Sequence, residues 1–128
     1  MSNKILTIDQ GTTSSRAVLY DSSFNQITQE QQEFKQHYPA DGLVEHDPEE
    51  IWSTPLKVVK NVIKKCKQLN VKILTIGITN QRETTILWDK NTGKPVYNAI
   101  VWQDRRTQTY LSLIHISEPT RRTTISYA

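Results

Sequence analysis

The sequence predicts an α/β fold in which helices flank a mixed sheet. Three features predict it: a β-hairpin over residues 5–20, an amphipathic helix after Asp47, and an apolar strand over residues 71–79. In the hairpin, two short β-branched runs flank a tight polar turn, whereas the helix repeats apolar side chains every three or four residues. Strands and a helix in this order are typical of a sheet covered by helices.

The composition fits a single globular domain. At 128 residues the chain is long enough for one core, and sixteen basic against thirteen acidic residues give a net charge of +3. That charge lacks the basic footprint of a nucleic-acid-binding protein. Cys66 stands alone, so it cannot form an internal disulfide, and we expect it in the core. Because no N-terminal apolar segment or membrane-length apolar run occurs, we expect a cytoplasmic protein without a nucleic-acid or membrane partner.

The turn within residues 9–16 (DQGTTSSR) has the composition of an anion-binding loop. Gly11 can adopt a positive φ, which lets backbone N–H groups converge on an anion. Four successive hydroxyls can donate to phosphate oxygens: Thr12, Thr13, Ser14 and Ser15. Arg16 can add a charge-assisted contact. An ordinary polar hairpin turn is the alternative, and no Walker A loop is present.

Asp9, at the end of the first strand, is a candidate metal ligand. Mg²⁺ keeps several waters and takes only one or two carboxylates, so Asp9 could hold a hydrated ion beside a phosphate. No Cys and His spacing typical of a metal site occurs around Cys66. Asp9 is assigned to the metal because of its place beside the predicted phosphate-binding turn.

The segment after the hairpin is polar and less regular. Residues 27–34 predict a third strand with weak alternation, which indicates an edge position. Residues 37–45 predict an irregular crossing loop. His46 ends that loop, and we interpret it as a structural or solvated side chain rather than a ligand.

A helix is predicted to begin after Asp47. Asp47 is a candidate N-cap, Pro48 takes the first helical position, and Glu50 stands where a capping box has its acidic residue. One apolar stripe is predicted to face the core: Trp52, Leu56, Val59, Val62, Ile63, Cys66 and Leu69. Pro55 lies past the first turn, so we expect either a kink near residues 51–55 or a delayed start.

The remainder of the chain predicts further strands and a second helix. The run over residues 71–79 is mostly apolar, which favours a central strand. Residues 84–89 predict the next strand, residues 90–95 a turn, and residues 98–102 a short buried strand. A helix is expected to start within residues 103–107.

Arg82 and Glu83 form a second candidate site between two strands, where binding turns occur in α/β sheets. The guanidinium donates and the carboxylate accepts, so together they suit the vicinal hydroxyls of a polyol. Trp102 could cover the carbon skeleton while its indole N–H reaches an oxygen. The alternative is that the two charges only form surface ion pairs and that Trp102 is a core aromatic.

Four blocks in order resemble the N-terminal part of the FGGY carbohydrate kinase family. They are residues 9–16 (DQGTTSSR), 45–48 (EHDP), 78–85 (ITNQRETT) and 98–107 (NAIVWQDRRT). The resemblance covers about residues 1–110. It implies part of an actin-like, ribonuclease-H-like domain, truncated because the chain is too short for a two-domain kinase.

The third block is similar to the family members that phosphorylate glycerol. The resemblance implies phosphoryl transfer from ATP, with Mg²⁺, to the glycerol 3-hydroxyl, as the first step of glycerol use. It implies a role at the nucleotide phosphates for four residues: Thr12, Thr13, Ser14 and Arg16. Asp9 would be the carboxylate on the metal side, Arg82 and Glu83 would hold glycerol hydroxyls, and Trp102 would pack on its carbons. It also implies that the intact enzyme is a homo-oligomer.

The family pattern is lost from about Leu111. Residues 111–121 are rich in β-branched side chains, include Pro119 and show no helical period. They also resemble the translation of a transposase-type sequencing adapter. We therefore interpret residues 111–128 as a non-native, artefactual tail, with a divergent natural tail as the alternative.

We expect the catalytic base and the adenine-binding second domain to lie beyond this break, so no catalytic residue is assigned. The chain is accordingly expected to show no measurable kinase activity. Two other functions stay open: a kinase for another polyol or sugar, and a non-kinase nucleotide-binding protein of the actin and Hsp70 type. The second would share the hairpin but would need no hydroxyl-binding pair.

Overall fold

The computed structural model describes residues 3–117, with the backbone alone for residues 114–117. Within that range the mixed α/β class predicted from sequence is confirmed. The elements in chain order are β1 (Asn3–Gln10), β2 (Ser14–Tyr20), β3 (Gln26–Glu33), β4 (Glu45–His46), α1 (Pro48–Gln68), β5 (Lys72–Asn80), β6 (Ala99–Ile100) and α2 (Gln108–Ser117).

Four strands form the main sheet, in the order β3-β2-β1-β5. The predicted hairpin is present, because β1 and β2 are antiparallel with Asp9 opposite Arg16. Strand β3 also pairs antiparallel with β2 and lies at an edge, as predicted. Strand β5 is parallel to β1, with Asn80 opposite Gln10, and α1 makes the crossover between them. A separate two-stranded ribbon pairs β4 with β6.

The core lies between the main sheet and α1. Its buried members alternate along the strands and recur every four residues along the helix, as these two periodicities require: Leu6, Ala17, Leu19, Val58, Val62 and Cys66. Cys66 is therefore a core thiol, as predicted, and burial raises its pKa. A raised pKa keeps the thiol protonated and unreactive at neutral pH.

Helix α1 begins where the sequence predicts. The Asp47 side chain accepts a hydrogen bond from the Glu49 backbone N–H at 2.9 Å, and Pro48 occupies the first turn. The predicted capping box is wrong, because the Glu50 carboxylate accepts from the backbone N–H of Lys35 instead. A delayed start is also wrong, since the helix runs from Pro48 through Pro55 without interruption.

The buried stripe of α1 is rotated relative to the prediction. Its buried residues are Thr54, Val58, Val62 and Cys66, whereas Trp52 is 69% exposed. Thr54 can be buried because its hydroxyl bonds the Ser15 hydroxyl at 2.8 Å and donates to the Glu50 carbonyl. Trp52 instead lines an open apolar groove with Ile8 and Ile78.

Strand β5 is not central among the described residues, which contradicts the prediction. It pairs only with β1 and ends the sheet order. Leu74, Ile76 and Ile78 are 64%, 54% and 75% exposed, because α1 crosses the sheet over β1, β2 and β3. An apolar run of this kind predicts a strand that is packed against other elements on both faces. Within the described residues, most side chains of β5 are instead exposed.

The predicted strand at residues 84–89 is wrong. Only the isolated bridges Thr85 to Ile100 and Trp88 to Pro95 form there, because a tight turn follows at once. In that turn, predicted at residues 90–95, the Asp89 carboxylate accepts from two successive backbone N–H groups. The short strand predicted at 98–102 is reduced to β6.

Helix α2 begins at Gln108, just after the predicted start within residues 103–107, and extends to Ser117. The expectation that residues from Leu111 onward lack helical structure is therefore wrong as far as residue 117. β-Branched residues cost only a few tenths of a kcal/mol each in a helix, so the local backbone hydrogen bonds suffice. Neither helix in the described range is long and apolar enough to cross a membrane. The predicted tail beyond residue 117 lies outside the described residues.

The difference between covered and uncovered strands can be measured by alanine substitution. Leu19→Ala removes a fully buried side chain and is expected to lower the free energy of unfolding by about 2–5 kcal/mol. Leu74→Ala, the matched control on β5, is expected to cost less than about 1 kcal/mol, because Leu74 is mostly exposed. Urea unfolding followed by circular dichroism measures both, and equal losses would contradict the observed burial.

Candidate functional site

The two predicted groups of site residues lie at the same edge of the main sheet. Strands β1 and β5 are parallel neighbours, so their carboxyl ends meet there. The hairpin turn follows β1, and residues 81–83 follow β5. The two turns are joined directly, because the Gln81 backbone N–H donates to the Gln10 carbonyl at 2.7 Å.

The hairpin turn is closed by a hydrogen bond from the Gly11 N–H to the Ser14 carbonyl at 2.9 Å. The expected positive φ at Gly11 is wrong: the glycines with positive φ among the described residues are Gly42 and Gly93. Glycine is favoured at position 11 for another reason. A Cβ there would lie 3.0 Å from the Ser14 carbonyl oxygen, a tight contact that would require the turn backbone to shift by a few tenths of an ångström.

The hydroxyls after Gly11 divide between two faces. Thr12 and Thr13 lie on the turn itself, and neither is buried. Ser14 begins β2 and accepts from the Gln31 side chain at 2.8 Å. Ser15 points to the opposite face, where it is fully buried against Thr54. The Ser15 hydroxyl is therefore not available to an anion, which corrects the expectation that all four hydroxyls could donate.

Asp9 and Arg16 face each other across the hairpin, with Arg16 Nη2 3.3 Å from Asp9 Oδ2. Both side chains are nearly half exposed. A pair this exposed is worth little for stability, so both groups can be redirected to a ligand at small cost.

Trp102 connects the second group to the hairpin. Its indole Nε1–H donates to the Thr12 hydroxyl at 3.4 Å, and its side chain is 55% exposed. Trp102 and Glu83 line one cleft of about 380 Å³. The alternative that Trp102 is a core aromatic is therefore wrong for the described residues.

Arg82 and Glu83 differ in placement although they are adjacent. Both side chains are exposed, but only Glu83 lines the cleft with Trp102, and Arg82 lies outside that lining. Glu83 has a φ of 57°, in the left-handed region that non-glycine residues rarely adopt. Strained backbone of this kind is concentrated at binding and catalytic sites.

A buried ion cluster that sequence reasoning missed lies at this cleft, whose lining includes Asp104 and Arg106. Arg106 Nη2 lies 2.7 Å from both Glu45 Oε2 and Asp104 Oδ2, and each carboxylate side chain is 2% exposed. Tyr97 and Asn98 donate further hydrogen bonds to Glu45. The signal available in the sequence is the run of three charged residues at 104–106, just after a short apolar strand.

The cluster shifts the pKa values of its members. Hydrogen bonding to Arg106 holds the pKa of the Glu45 and Asp104 carboxyl groups below their usual values of 4.5 and 3.8. Since the folded-state pKa values lie below the unfolded-state ones, the two carboxylates stabilise the fold fully at a pH above their unfolded-state pKa values. This stabilisation is lost as the pH falls through the folded-state pKa values.

The sheet order, the crossover through α1 and the polar hairpin beside a cleft define the actin-like, ribonuclease-H-like fold of sugar kinases. Residues 4–125 match the model of the FGGY family of carbohydrate kinases, N-terminal domain. The chain belongs to this family.

Curated relatives and solved structures agree with this assignment. The chain is 64% identical over 107 residues to a glycerol kinase of Marinomonas sp. (strain MWYL1), and 55% identical over 103 residues to one of Rhodospirillum centenum. These matches cover 84% and 80% of the chain but only 22% and 21% of the relatives, so the chain spans about a fifth of their length.

Two solved structures resemble the chain closely in backbone. The crystal structure of Plasmodium falciparum glycerol kinase with ADP matches with a TM-score of 0.81 and 39% identity, covering 90% of this chain and 23% of the other. A gluconate kinase from Lactobacillus acidophilus also matches with a TM-score of 0.81, covering 91% and 23%, but at 20% identity. The second likeness shows the shared fold alone.

The buried ion cluster can be tested by removing its cation. Arg106→Met leaves Glu45 and Asp104 buried without their main partner, so we expect a loss of about 2–3 kcal/mol in the free energy of unfolding. Arg105→Met is the matched control, because the Arg105 side chain is exposed, and its effect should stay within about 0.5 kcal/mol. Urea unfolding at pH 7 measures both, and an unchanged midpoint for Arg106→Met would contradict the cluster's role.

Proposed function

We propose that this chain is the phosphate-binding and polyol-binding part of an ATP:glycerol 3-phosphotransferase. The observation that carries the proposal is the identity of 64% over 107 residues to a glycerol kinase. The geometry supports it, since Trp102 bonds Thr12 and shares a cleft with Glu83. One bound pair of substrates could therefore touch both turns.

On the nucleotide side, the hairpin would hold the terminal phosphates of ATP. Thr12, Thr13 and Ser14 carry hydroxyls that can donate to phosphate oxygens, and Arg16 adds a cation. The exposure of Arg16, 47% in its side chain, leaves the guanidinium accessible to an anion. Positioning of this kind supplies most of what a protein contributes to phosphoryl transfer.

The metal in this proposal is Mg²⁺ at Asp9. The Asp9 carboxylate is 42% exposed at the carboxyl end of β1, beside the hairpin that would hold the phosphates. Among the side chains that the structure describes, no group of three or more His, Cys, Asp or Glu residues is placed to bind a metal. A single carboxylate fits Mg²⁺ only if phosphate oxygens and waters complete its coordination, which is the usual arrangement for this ion. The bound ion would neutralise phosphate charge.

On the substrate side, Arg82 and Glu83 would hold the glycerol hydroxyls, with Trp102 against its carbons. The Glu83 carboxylate is an acceptor in the cleft, and the Trp102 indole offers an apolar face. Arg82 would turn toward the cleft when the ligand binds, because its exposed side chain is free to change rotamer. None of these groups is assigned as the catalytic base.

We extend the proposal to the context of the intact enzyme, following the family. It would act in the cytoplasm, where ATP is available, as a homo-oligomer that binds glycerol and ATP or ADP but no nucleic acid or membrane. Residues 1–110 would be the native part of the kinase domain and residues 111–128 a non-native tail. The matches to the curated glycerol kinases are 103 to 110 residues long, a length that agrees with that boundary, whereas the family model extends to residue 125.

Glycerol binding tests the substrate side. Titration of the isotope-labelled chain with glycerol is expected to shift the NMR signals of residues 81–83 and of the Trp102 indole N–H. Arg82→Ala is expected to weaken binding about tenfold or more, because a charge-assisted hydrogen bond is lost. Arg105→Ala removes an exposed arginine to which the proposal gives no contact with glycerol; it is the matched control and should change the affinity less than about twofold. Xylulose or gluconate shifting the same signals more strongly than glycerol would contradict the substrate assignment.

An activity assay tests whether the chain alone can catalyse phosphoryl transfer. Without an assigned base, which is worth roughly 10²–10⁴ in rate, the purified chain should release no ADP from ATP in response to glycerol. A full-length glycerol kinase assayed in parallel provides the positive control. Turnover close to that of the full-length enzyme would show that the chain contains a complete active site.

A further inference from the structure

A chain of side-chain hydrogen bonds runs below the two binding turns and is not used by the proposed function. The Gln36 side-chain N–H donates to the Thr12 carbonyl at 3.0 Å, and the Gln36 Oε1 lies 2.5 Å from His46 Nε2. On the other side of the ring, His46 Nδ1 lies 3.2 Å from Gln81 Nε2. His46 therefore stands between the hairpin turn and the turn that carries Arg82 and Glu83.

The partners determine which ring nitrogen carries the proton. Because Gln36 uses its amide nitrogen on the Thr12 carbonyl, its oxygen faces the ring, so His46 Nε2 must donate. His46 Nδ1 is then the acceptor for the Gln81 amide. All donors point the same way, from Gln81 through His46 and Gln36 to Thr12, and the ring is neutral. Burial lowers the pKa of His46, which keeps the ring neutral at pH 7.

The surroundings of His46 leave little freedom to move. The ring is fully buried and packs edge-on against Phe34, with ring centroids 5.1 Å apart. The Phe34 backbone N–H donates to the Thr13 carbonyl at 3.2 Å. The segment that contains Phe34 and Gln36 thus donates hydrogen bonds to the carbonyls of Thr12 and Thr13 in the hairpin turn. His46 links that segment to Gln81.

We propose that His46 is a positioning residue that holds the hairpin turn and the Gln81–Glu83 turn in one fixed relative position. It acts through Gln36 and Gln81 and touches neither substrate. The proposal rests on the proposed function, since the turns it joins are those assigned to phosphate and glycerol. Fixed placement matters there because in-line transfer depends on the distance and angle between the two reacting groups.

Two substitutions separate hydrogen bonding from packing. In His46→Gln, the amide oxygen and nitrogen have nearly the same separation as the two ring nitrogens, so one acceptor and one donor are kept. In His46→Phe, the ring that packs on Phe34 is kept and both hydrogen bonds are lost. Val62→Ala, which lowers stability in the core without touching the network, is the control for a merely structural role.

The first measurement needs no ligand and uses the full 128-residue chain. We expect the ¹⁵N shifts of His46 to report a protonated Nε2 and an unprotonated Nδ1. We expect hydrogen exchange of the Phe34 amide, which reports the hairpin contact to Thr13, to accelerate about tenfold in His46→Phe and to stay near wild type in His46→Gln. A charged ring, or equal Phe34 exchange in all variants, would overturn the proposal.

The second measurement is glycerol affinity by NMR titration of the same proteins. We expect His46→Phe to bind about tenfold more weakly, with His46→Gln and Val62→Ala within about twofold of wild type. A folded His46→Phe that binds as well as wild type, or a Val62→Ala loss as large as that of His46→Phe, would overturn the proposal. If His46→Phe does not fold, Gln36→Met replaces it and should weaken binding by a similar factor. Wild type that binds no glycerol would count against the proposed function, while the exchange result would still decide the role of His46.

Discussion

The parallel pairing of β1 with β5 is the constraint on which the rest of the structure depends. Parallel neighbours need a crossover, and α1 supplies it while covering the face of the hairpin sheet. Their carboxyl ends then meet at one edge of the sheet. For that reason the hairpin turn and the Gln81–Glu83 turn, separated by about seventy residues in sequence, are adjacent.

That edge is held by polar contacts rather than by the apolar core. On one side, Gln36, His46 and Gln81 form a directional series of hydrogen bonds below the turns. On the other side, Arg106 satisfies two buried carboxylates next to the cleft. Buried polar groups are tolerated only when nearly all of them have partners, so such networks allow few alternative arrangements. The exposed side chains proposed to bind the substrates are therefore carried by backbone that buried polar contacts hold in place.

Local sequence signals were sufficient where one element determines its own structure. The hairpin, the start of α1 at Asp47 and Pro48, and the turn after Asp89 each follow from turn chemistry or capping within a few residues. Predictions that depended on neighbours were less accurate. The capping box at Glu50 does not form, because the Glu50 carboxylate accepts a hydrogen bond from the backbone N–H of Lys35, which lies on another segment. The position of β5 in the sheet also could not be read from its apolar composition, which does not report how many strands lie beside it.

The sequence by itself determined the class of fold, the family, and the residue types of the two turns proposed to bind substrates, because periodicity and motif order are local properties of the chain. Only the tertiary structure decided which of those residues meet. It buried Ser15 away from the turn, bonded Trp102 to Thr12, and excluded Arg82 from the cleft lining that contains Glu83. It also placed His46 between the two turns. These outcomes depend on strand register and on contacts between segments that are distant in sequence, and such contacts are set by packing the whole sheet and helix together.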